Sequence, residues 1–280
     1  MRFRSALRER REKFESILEA DDDFFVVYRS ANIAATWLSV LAAALLEELA
    51  DSKGESRDEQ AVALAFFSRL ANDLWAIIEL VESGFDLQAR ALARSYLEHV
   101  DVLICCIHDK ELTKEFFYAV EPEQANAFWH KYVSKNKAKE RVSRFISTLI
   151  GSKESRIVDL LREDAEFTGA SLHHPTMLAR LATALGHPGF EYDSYPLFPT
   201  PLAASAGIFR TVLIHLFWLW FAMGTLPKSD HGEWKALFDS ARIARNKEFD
   251  RLENLYSQMF GFLLDYRILM DAPHPDGRNG

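Results

Sequence analysis

Apolar residues recur every three or four positions along almost the whole of this 280-residue chain. That interval matches the turn of an α-helix and places the apolar side chains on one face. The clearest examples are Leu64, Phe67, Leu70, Leu74, Ile77 and Val81, and Leu252, Leu255, Met259 and Leu263. We find no convincing run with the alternation typical of a half-buried strand. The pattern therefore predicts an all-α protein, a multi-helix bundle.

Breaks in the periodicity divide the chain into predicted helices. They span 3–19, 24–50, 58–83, 86–109, 111–133, 136–150, 153–168, 175–185, 202–225 and 232–271. Gly84 suits the left-handed end of one helix, and Pro122 is expected to start or kink another segment. Residues 186–201 form a long loop with four prolines and four aromatic residues, and such loops tend to be functional or disordered. We expect one domain over 1–271 and a disordered tail over 272–280.

Composition and charge narrow the class of protein. The net charge of −8 argues against a general nucleic-acid binder, although positive charge can be segregated on one surface. Cys105 and Cys106 are adjacent and point apart on a helix, so we expect them to be reduced and buried, as in cytosolic proteins. The most apolar stretch, 208–226, is interrupted by Arg210 and His215, and a span needs about 20 apolar residues. We therefore expect a buried helix, no membrane span and no signal peptide, hence a cytoplasmic protein.

The segment "ALARSYLEHVD", residues 91–101, carries the first polar cluster. Arg94 and Glu98 stand four apart and can form an ion pair on one helix face, which they share with Arg90. Because arginine before glutamate is the weaker order for an exposed pair, burial or a third partner is expected. Arg94 and His99 are about 140° apart on a straight helix and do not easily converge. The alternative is a solvated charged face.

A second polar cluster lies in "FTGASLHHPTM", residues 167–177. Pro175 suits the first position of the helix that follows, which places Ser171 and His174 near its N-terminus. Free N–H groups there favour anions and lower the pKa of a nearby imidazole. His173 and His174 can act as a base, a ligand or a hydrogen-bond donor. The alternative is a helix-start turn with one buried and one exposed histidine.

At these two places the chain resembles helical bacterial proteins that are grouped as a domain of unknown function. Their pattern is Arg-Ser-x-x-Glu on one helix and a later Ser-x-x-His. The matching residues are Arg94-Ser95-Tyr96-Leu97-Glu98 and Ser171-Leu172-His173-His174, and the similarity covers roughly 85–180. The resemblance implies that Arg94, Glu98, Ser171 and His174 belong to one site. It implies no particular activity.

Arg94 and His99 also resemble the Arg–His spacing of HEPN-type ribonucleases, helical proteins of toxin and antiphage systems. In that interpretation a histidine, either His99 or His174, is the general base on a ribose 2′-OH, and Arg94 stabilises the phosphorane charge. The chain departs from the pattern in two ways. Ser95 follows the arginine in place of Asn, Asp or His, and His99 falls on the more apolar helix face.

Other chemistry is less favoured by the sequence. It lacks Glu-x-x-His and Cys-x-x-Cys pairs, so we expect no metal and no cofactor. Residues 130–144 hold six basic residues against one acidic, and 2–13 hold six against two; either can bind RNA, DNA or anionic lipid, or be a solvated face. The candidate nucleic-acid-binding residues are Lys131, Lys135, Lys137, Lys139, Arg141 and Arg144. Trp129 and Tyr132 can stack on bases.

Three functions remain open from the sequence. The first is a polar pocket of Arg94, Glu98, Ser171 and His174, capped by 186–201, with Arg90 and His173 as further ligand contacts. It would bind a small anion or nucleotide, in phage defence or a stress response. The second is a metal-independent endoribonuclease. The third is a non-catalytic scaffold that forms a homo-oligomer through a helix face such as 202–225.

Overall fold

The computed structural model describes residues 3–51, 58–150, 200–224 and 247–265. Within those ranges the chain forms helices and no strand, which confirms the predicted all-α multi-helix bundle. The α-helices are α1 (Phe3–Ala20), α2 (Asp22–Asp51), α3 (Asp58–Glu82), α4 (Asp86–His108), α5 (Lys110–Tyr118), α6 (Pro122–Phe128), α7 (Lys137–Ile150), α8 (Ala206–Gly224) and α9 (Lys247–Asp265). A π-helical turn, Trp129–Val133, follows α6, and a 3-10 turn, Ala203–Ser205, leads into α8.

The predicted helix 111–133 is wrong as a single element, because the chain leaves helical geometry between α5 and α6. Pro122 has no N–H to donate and disfavours helical geometry in the residue before it. Glu121 accordingly has φ −85° and ψ 148° and caps α6 through a capping box with Gln124. The predicted helices 153–168 and 175–185 lie outside the described residues. So do the tail 272–280, the loop up to residue 199, and the site candidates Ser171, His173 and His174.

The core of the bundle surrounds α8, which packs against both α2 and α4. Most of α8 is buried, as the sequence predicted for this stretch. Helix α9 packs on α2 through Tyr256, whose ring stacks on that of Trp37 at 4.2 Å between centroids. The Glu253 carboxylate accepts hydrogen bonds from the indole N–H groups of Trp37 and Trp220, the latter at 2.9 Å. One acidic residue thus joins α9 to both α2 and α8.

The turn between α3 and α4 depends on Gly84, as predicted. Gly84 has φ +76°, and its N–H donates to the Val81 carbonyl at 3.0 Å while Phe85 N–H donates to Leu80 at 2.7 Å. This is a Schellman end, for which glycine pays no steric penalty. A Cβ on Gly84 would also lie 2.4 Å from the backbone carbon of Thr200. The turn therefore fixes α3 and α4 as neighbours and seats them against the chain that enters α8.

The expectation that the chain has no membrane span is wrong. Among the described residues, three helices are long and apolar enough to cross a membrane by length and composition, namely Asp22–Ala50, Asp58–Glu82 and Ala203–Gly224. The cytoplasmic assignment rested on that expectation and is withdrawn with it. The sequence argument treated Arg210 and His215 as interruptions, but both have acidic neighbours: Arg210 Nη2 donates to Asp23 at 2.9 Å, and His215 faces Asp101. Charged or ionisable residues with such partners do not disqualify an apolar helix.

Candidate functional site

A polar cluster between α3 and α4, which we call the notch, is formed by Arg69, Asp73, Tyr96 and His99. Arg69 Nε donates to Asp73 Oδ2 at 2.7 Å, one helical turn away. His99 Nδ1, on α4, lies 3.9 Å from the same oxygen. The Asp73 side chain is 10% exposed, whereas those of Arg69 and His99 are 55% and 35% exposed. A nearly buried carboxylate is therefore shared by an open guanidinium and a half-buried imidazole.

The electrostatics of the notch favour a neutral imidazole. Burial lowers the pKa of His99 below its usual range, the Arg69 charge lowers it further, and the Asp73 and Glu98 charges oppose these effects in part. Nδ1 is buried and has no hydrogen-bond partner among the described residues. At neutral pH such a ring offers one nitrogen lone pair and one N–H. It can accept or donate a proton in a ligand or substrate complex.

Tyr96 of the notch and Tyr256 of α9 are fully buried. Burial raises the pKa of Tyr96 well above its usual value, and the Asp73 charge adds to this effect. Burial acts in the same direction on Tyr256 of α9, followed by Tyr96 and Glu253. Both hydroxyls are buried without a hydrogen-bond partner in the described parts of the chain. Both hydroxyls therefore stay protonated at neutral pH.

The predicted pair of Arg94 and Glu98 forms, but it lies on the surface. Arg94 Nε is 3.6 Å from Glu98 Oε1, and the two side chains are 35% and 48% exposed. The burial that the residue order suggested is present one turn earlier, at Arg90, and not at Arg94 and Glu98. The arginine whose charge acts on His99 is Arg69. Sequence reasoning paired His99 with an arginine on its own helix.

Arg90, a predicted ligand contact, forms a buried ion pair with Asp86. Its Nε and Nη2 atoms donate to Asp86 at 2.7 and 3.3 Å, and the side chains of Arg90 and Asp86 are 8% and 15% exposed. The Ser205 hydroxyl donates at 2.7 Å to Asp86 Oδ1, the oxygen that also accepts from Arg90 Nη2. This cluster joins the first turn of α4 to the turn that leads into α8.

The basic segment 130–144 is partly neutralised by acidic neighbours. Lys131 Nζ lies 2.8 Å from both Glu115 oxygens and lowers the pKa of that carboxylate. Arg141 Nη1 lies 3.2 Å from Asp109 Oδ2. The remaining candidates are Lys135 and Arg144, which are exposed, and Lys137 and Lys139, which are half-buried. Tyr132 is buried and packs against Lys131 and Arg141, so it is not placed to stack on a base.

The two cysteines are free and buried, as predicted. Burial raises the pKa of the Cys105 thiol to about 12, helped by the Asp101 charge, and raises the pKa of Cys106 well above its usual value. Because the thiolate is the reactive form, neither residue is a nucleophile at neutral pH. A cavity of about 110 Å³ lies beside Cys105, Val142 and Phe145, between α4 and α7.

Sequence reasoning missed the buried acids that organise these contacts. Asp73 and Asp101 both occupy positions that the packing buries, and Asp101 Oδ1 lies 3.4 Å from Nδ1 of buried His215 on α8. The available signal was the spacing of Arg69 and Asp73, which is the i, i+4 spacing of a helical ion pair. A polar residue inside an apolar stripe, as Asp73 is, was a further signal.

Comparisons with known proteins leave the function to be argued from this geometry. No family model matches the chain, and no curated protein or solved structure matches it. Within the described ranges, no group of three or more His, Cys, Asp or Glu side chains is arranged to hold a metal ion. The two resemblances seen in the sequence stay predictions.

Proposed function

We propose that the α3–α4 notch is a ligand site that binds a small anion, such as the phosphate of a nucleotide. The observation that carries the proposal is the meeting of Arg69 and His99 at one nearly buried carboxylate, Asp73. Arg69 engages Asp73 through Nε, and more than half of its side chain is exposed. Its terminal nitrogens can therefore form the two parallel hydrogen bonds that arginine makes to phosphate.

We include Arg94 and Glu98 in the proposal as a second ion pair beside the notch. The support is that the Glu98 charge acts on the pKa of His99 and that Arg94 pairs with Glu98. The separation of 3.6 Å is longer than a hydrogen bond, so an incoming anion can recruit Arg94 at small cost. Ser171, His173 and His174 enter the proposal through the family resemblance alone, since they lie outside the described residues.

Sulfate is the first probe, because its charge is constant between pH 6 and 8. Isothermal titration should detect binding that strengthens as the pH falls, since protonation of His99 favours an anion. Arg69→Ala is expected to weaken binding by about tenfold or more, a loss of about 1.4 kcal/mol. Arg11→Ala is the matched control, because Arg11 forms an exposed i, i+4 pair with Glu15 on α1. Equal affinities in the Arg69 and Arg11 variants would rule out the notch as the anion site.

A metal-independent ribonuclease is the second candidate, and the neutral imidazole of His99 beside Asp73 favours it. His99 would take the proton of a ribose 2′-OH while the 2′ oxygen attacks the adjacent phosphorus, and the 5′ oxygen would leave and take a proton from water. The products are a 2′,3′-cyclic phosphate and a free 5′-OH. Arg69 would stabilise the charge that develops on the phosphoryl oxygens.

The test is cleavage of RNA in the presence of EDTA. His99→Gln is expected to lower the rate by about 10²–10⁴-fold, the usual contribution of a general base. Arg69→Ala and Arg94→Ala then decide between two arginines. Loss of RNA cleavage in Arg69→Ala alone supports the notch as the site. Loss of RNA cleavage in Arg94→Ala alone supports the pairing of Arg94 with His99 suggested by the HEPN resemblance. RNA that stays intact at high protein concentration argues against both.

A further inference from the structure

A second surface, distinct from the notch, lies on the segment from Trp129 to Lys137, which we call the π-turn. The Trp129 side chain is 46% exposed, and its ring centroid is 5.0 Å from that of exposed His130. Lys135 is exposed, and Lys137 is half-buried. The segment holds no acidic residue, although the whole chain has a net charge of −8. The π-turn is therefore a cationic, aromatic surface on an acidic protein.

The backbone of the π-turn is held in an unusual shape. Ser134 N–H donates to the Trp129 carbonyl at 2.9 Å, and the Ser134 hydroxyl donates to the His130 carbonyl at 2.9 Å. Lys135 and Asn136 then have φ of +58° and +61°, the left-handed region that non-glycine residues rarely adopt. Single π-helical turns and strained residues are both frequent at functional sites. Lys135 is exposed and lies six residues after Trp129 along the chain.

We propose that the π-turn binds single-stranded nucleic acid. One base would stack on Trp129, and neighbouring phosphates would contact Lys135 and Lys137. Stacking suits any base, because every base has a flat face, and lysines follow the backbone without reading sequence. Glu115 offsets Lys131, and Tyr132 is buried, so the surface offers the Trp129 ring and two lysines, of which Lys137 also donates through Nζ to the His130 carbonyl at 2.6 Å.

The neighbouring acids favour a single strand over an anionic membrane surface. Glu121 and Glu123 are exposed at the start of α6, the helix that runs directly into the π-turn. A flat anionic surface large enough to meet Trp129 and Lys135 would also approach these carboxylates. A single strand is narrow enough to follow the lysines alone.

Fluorescence anisotropy with a dye-labelled deoxythymidine twelve-mer tests the proposal on the full chain. DNA lacks the 2′-OH, so the ribonuclease activity proposed above cannot cleave this probe and alter its anisotropy. Binding is expected to weaken with added salt, and Trp129→Ala should weaken it by about tenfold, within the range for loss of one stacked base. Replacing Lys135 and Lys137 by Gln should flatten the slope of log K against log salt by about 1.4. Trp75→Ala on α3 and Arg251→Gln on α9, exposed residues on other helices, are matched controls with no expected effect.

Several outcomes would overturn the proposal. They are the absence of binding, equal losses in the Trp129 and Trp75 variants, and vesicles of phosphatidylglycerol that bind with the same dependence on Lys135 while the oligonucleotide does not. Loss of oligonucleotide binding in Arg69→Ala with full binding in the lysine variant would place the strand at the notch instead. If Trp129→Ala fails to fold by circular dichroism, the variant with Gln at both 135 and 137 decides the question.

Discussion

Two arginine–aspartate pairs on neighbouring helices have the same spacing and the same bond length, yet they serve different ends. Arg90 lies 2.7 Å from Asp86 on α4, and Arg69 lies 2.7 Å from Asp73 on α3. Arg90 is buried, and its partner Asp86 also accepts a hydrogen bond from Ser205. We call this pair closed, because the packing leaves no room for a ligand. Arg69 is open, and its aspartate faces the half-buried His99. The spacing predicts that a pair forms, but only the packing decides whether a ligand can reach it.

The position along the helix reinforces this difference. Asp86 lies in the first turn of α4, where the free N–H groups and the helix dipole favour a negative charge. It also precedes its arginine, the more favourable order. Asp73 lies in the middle of α3 and follows its arginine, so it gains neither benefit. Its burial is therefore better explained by a role toward His99 than by the stability of α3.

The largest expected effect is the loss of Arg90. Arg90→Met leaves Asp86 with the Ser205 hydroxyl in a site that excludes water. Breaking a buried pair in this way is expected to lower the free energy of unfolding by about 3–5 kcal/mol. Urea denaturation of this variant and of Arg69→Met gives the comparison directly, and the Arg69 variant should lose clearly less. Equal losses would contradict the division into a closed and an open pair.

Glu253 is a second closed site by the same reasoning. Glu253→Leu removes the acceptor of the Trp37 indole N–H, and Trp37 is fully buried. A buried donor without an acceptor costs about 1–3 kcal/mol. Glu253→Gln keeps a carbonyl acceptor at the same position and should lose less when both variants are unfolded in urea. If the two variants are equally stable, the hydrogen bond from Trp37 to Glu253 contributes little to the free energy of unfolding.

The sequence predicted the elements of the notch better than the notch itself. Periodicity located α3 and α4, and Gly84 marked the turn between them. The i, i+4 rule found Arg94 and Glu98, since that contact depends on one helix only. The approach of His99 to Asp73 depends on the rotation of one helix against the other. That rotation is set by the side chains at the contact and by the fit of Gly84 against Thr200, which spacing along the chain does not reveal.

The acidity of the solution tests whether His99 is held neutral in the open site. Its pKa is lower in the folded chain than the usual value of about 6.5 in the unfolded chain. The unfolded state therefore binds the proton more strongly than the folded state. His99 thus contributes stability at pH values above its pKa in the unfolded chain, and this contribution is lost as the pH falls through its lower pKa in the folded chain. Thermal melts should show a smaller loss of stability on acidification in His99→Gln than in the unsubstituted chain. His130→Gln on the π-turn is the control, and identical pH profiles for all three proteins would refute the assignment.

The smallest effect is expected at Arg94 and Glu98, the residues that the sequence singled out first. Because both side chains are substantially exposed and 3.6 Å apart, their coupling energy should fall within about 0–1 kcal/mol. A double-mutant cycle of Arg94→Ala and Glu98→Ala, read by urea denaturation, measures that coupling. A coupling of about 3 kcal/mol or more would instead require a buried pair. It would contradict the surface assignment and favour the prediction that joins Arg94 and Glu98 to Ser171 and His174 in one site.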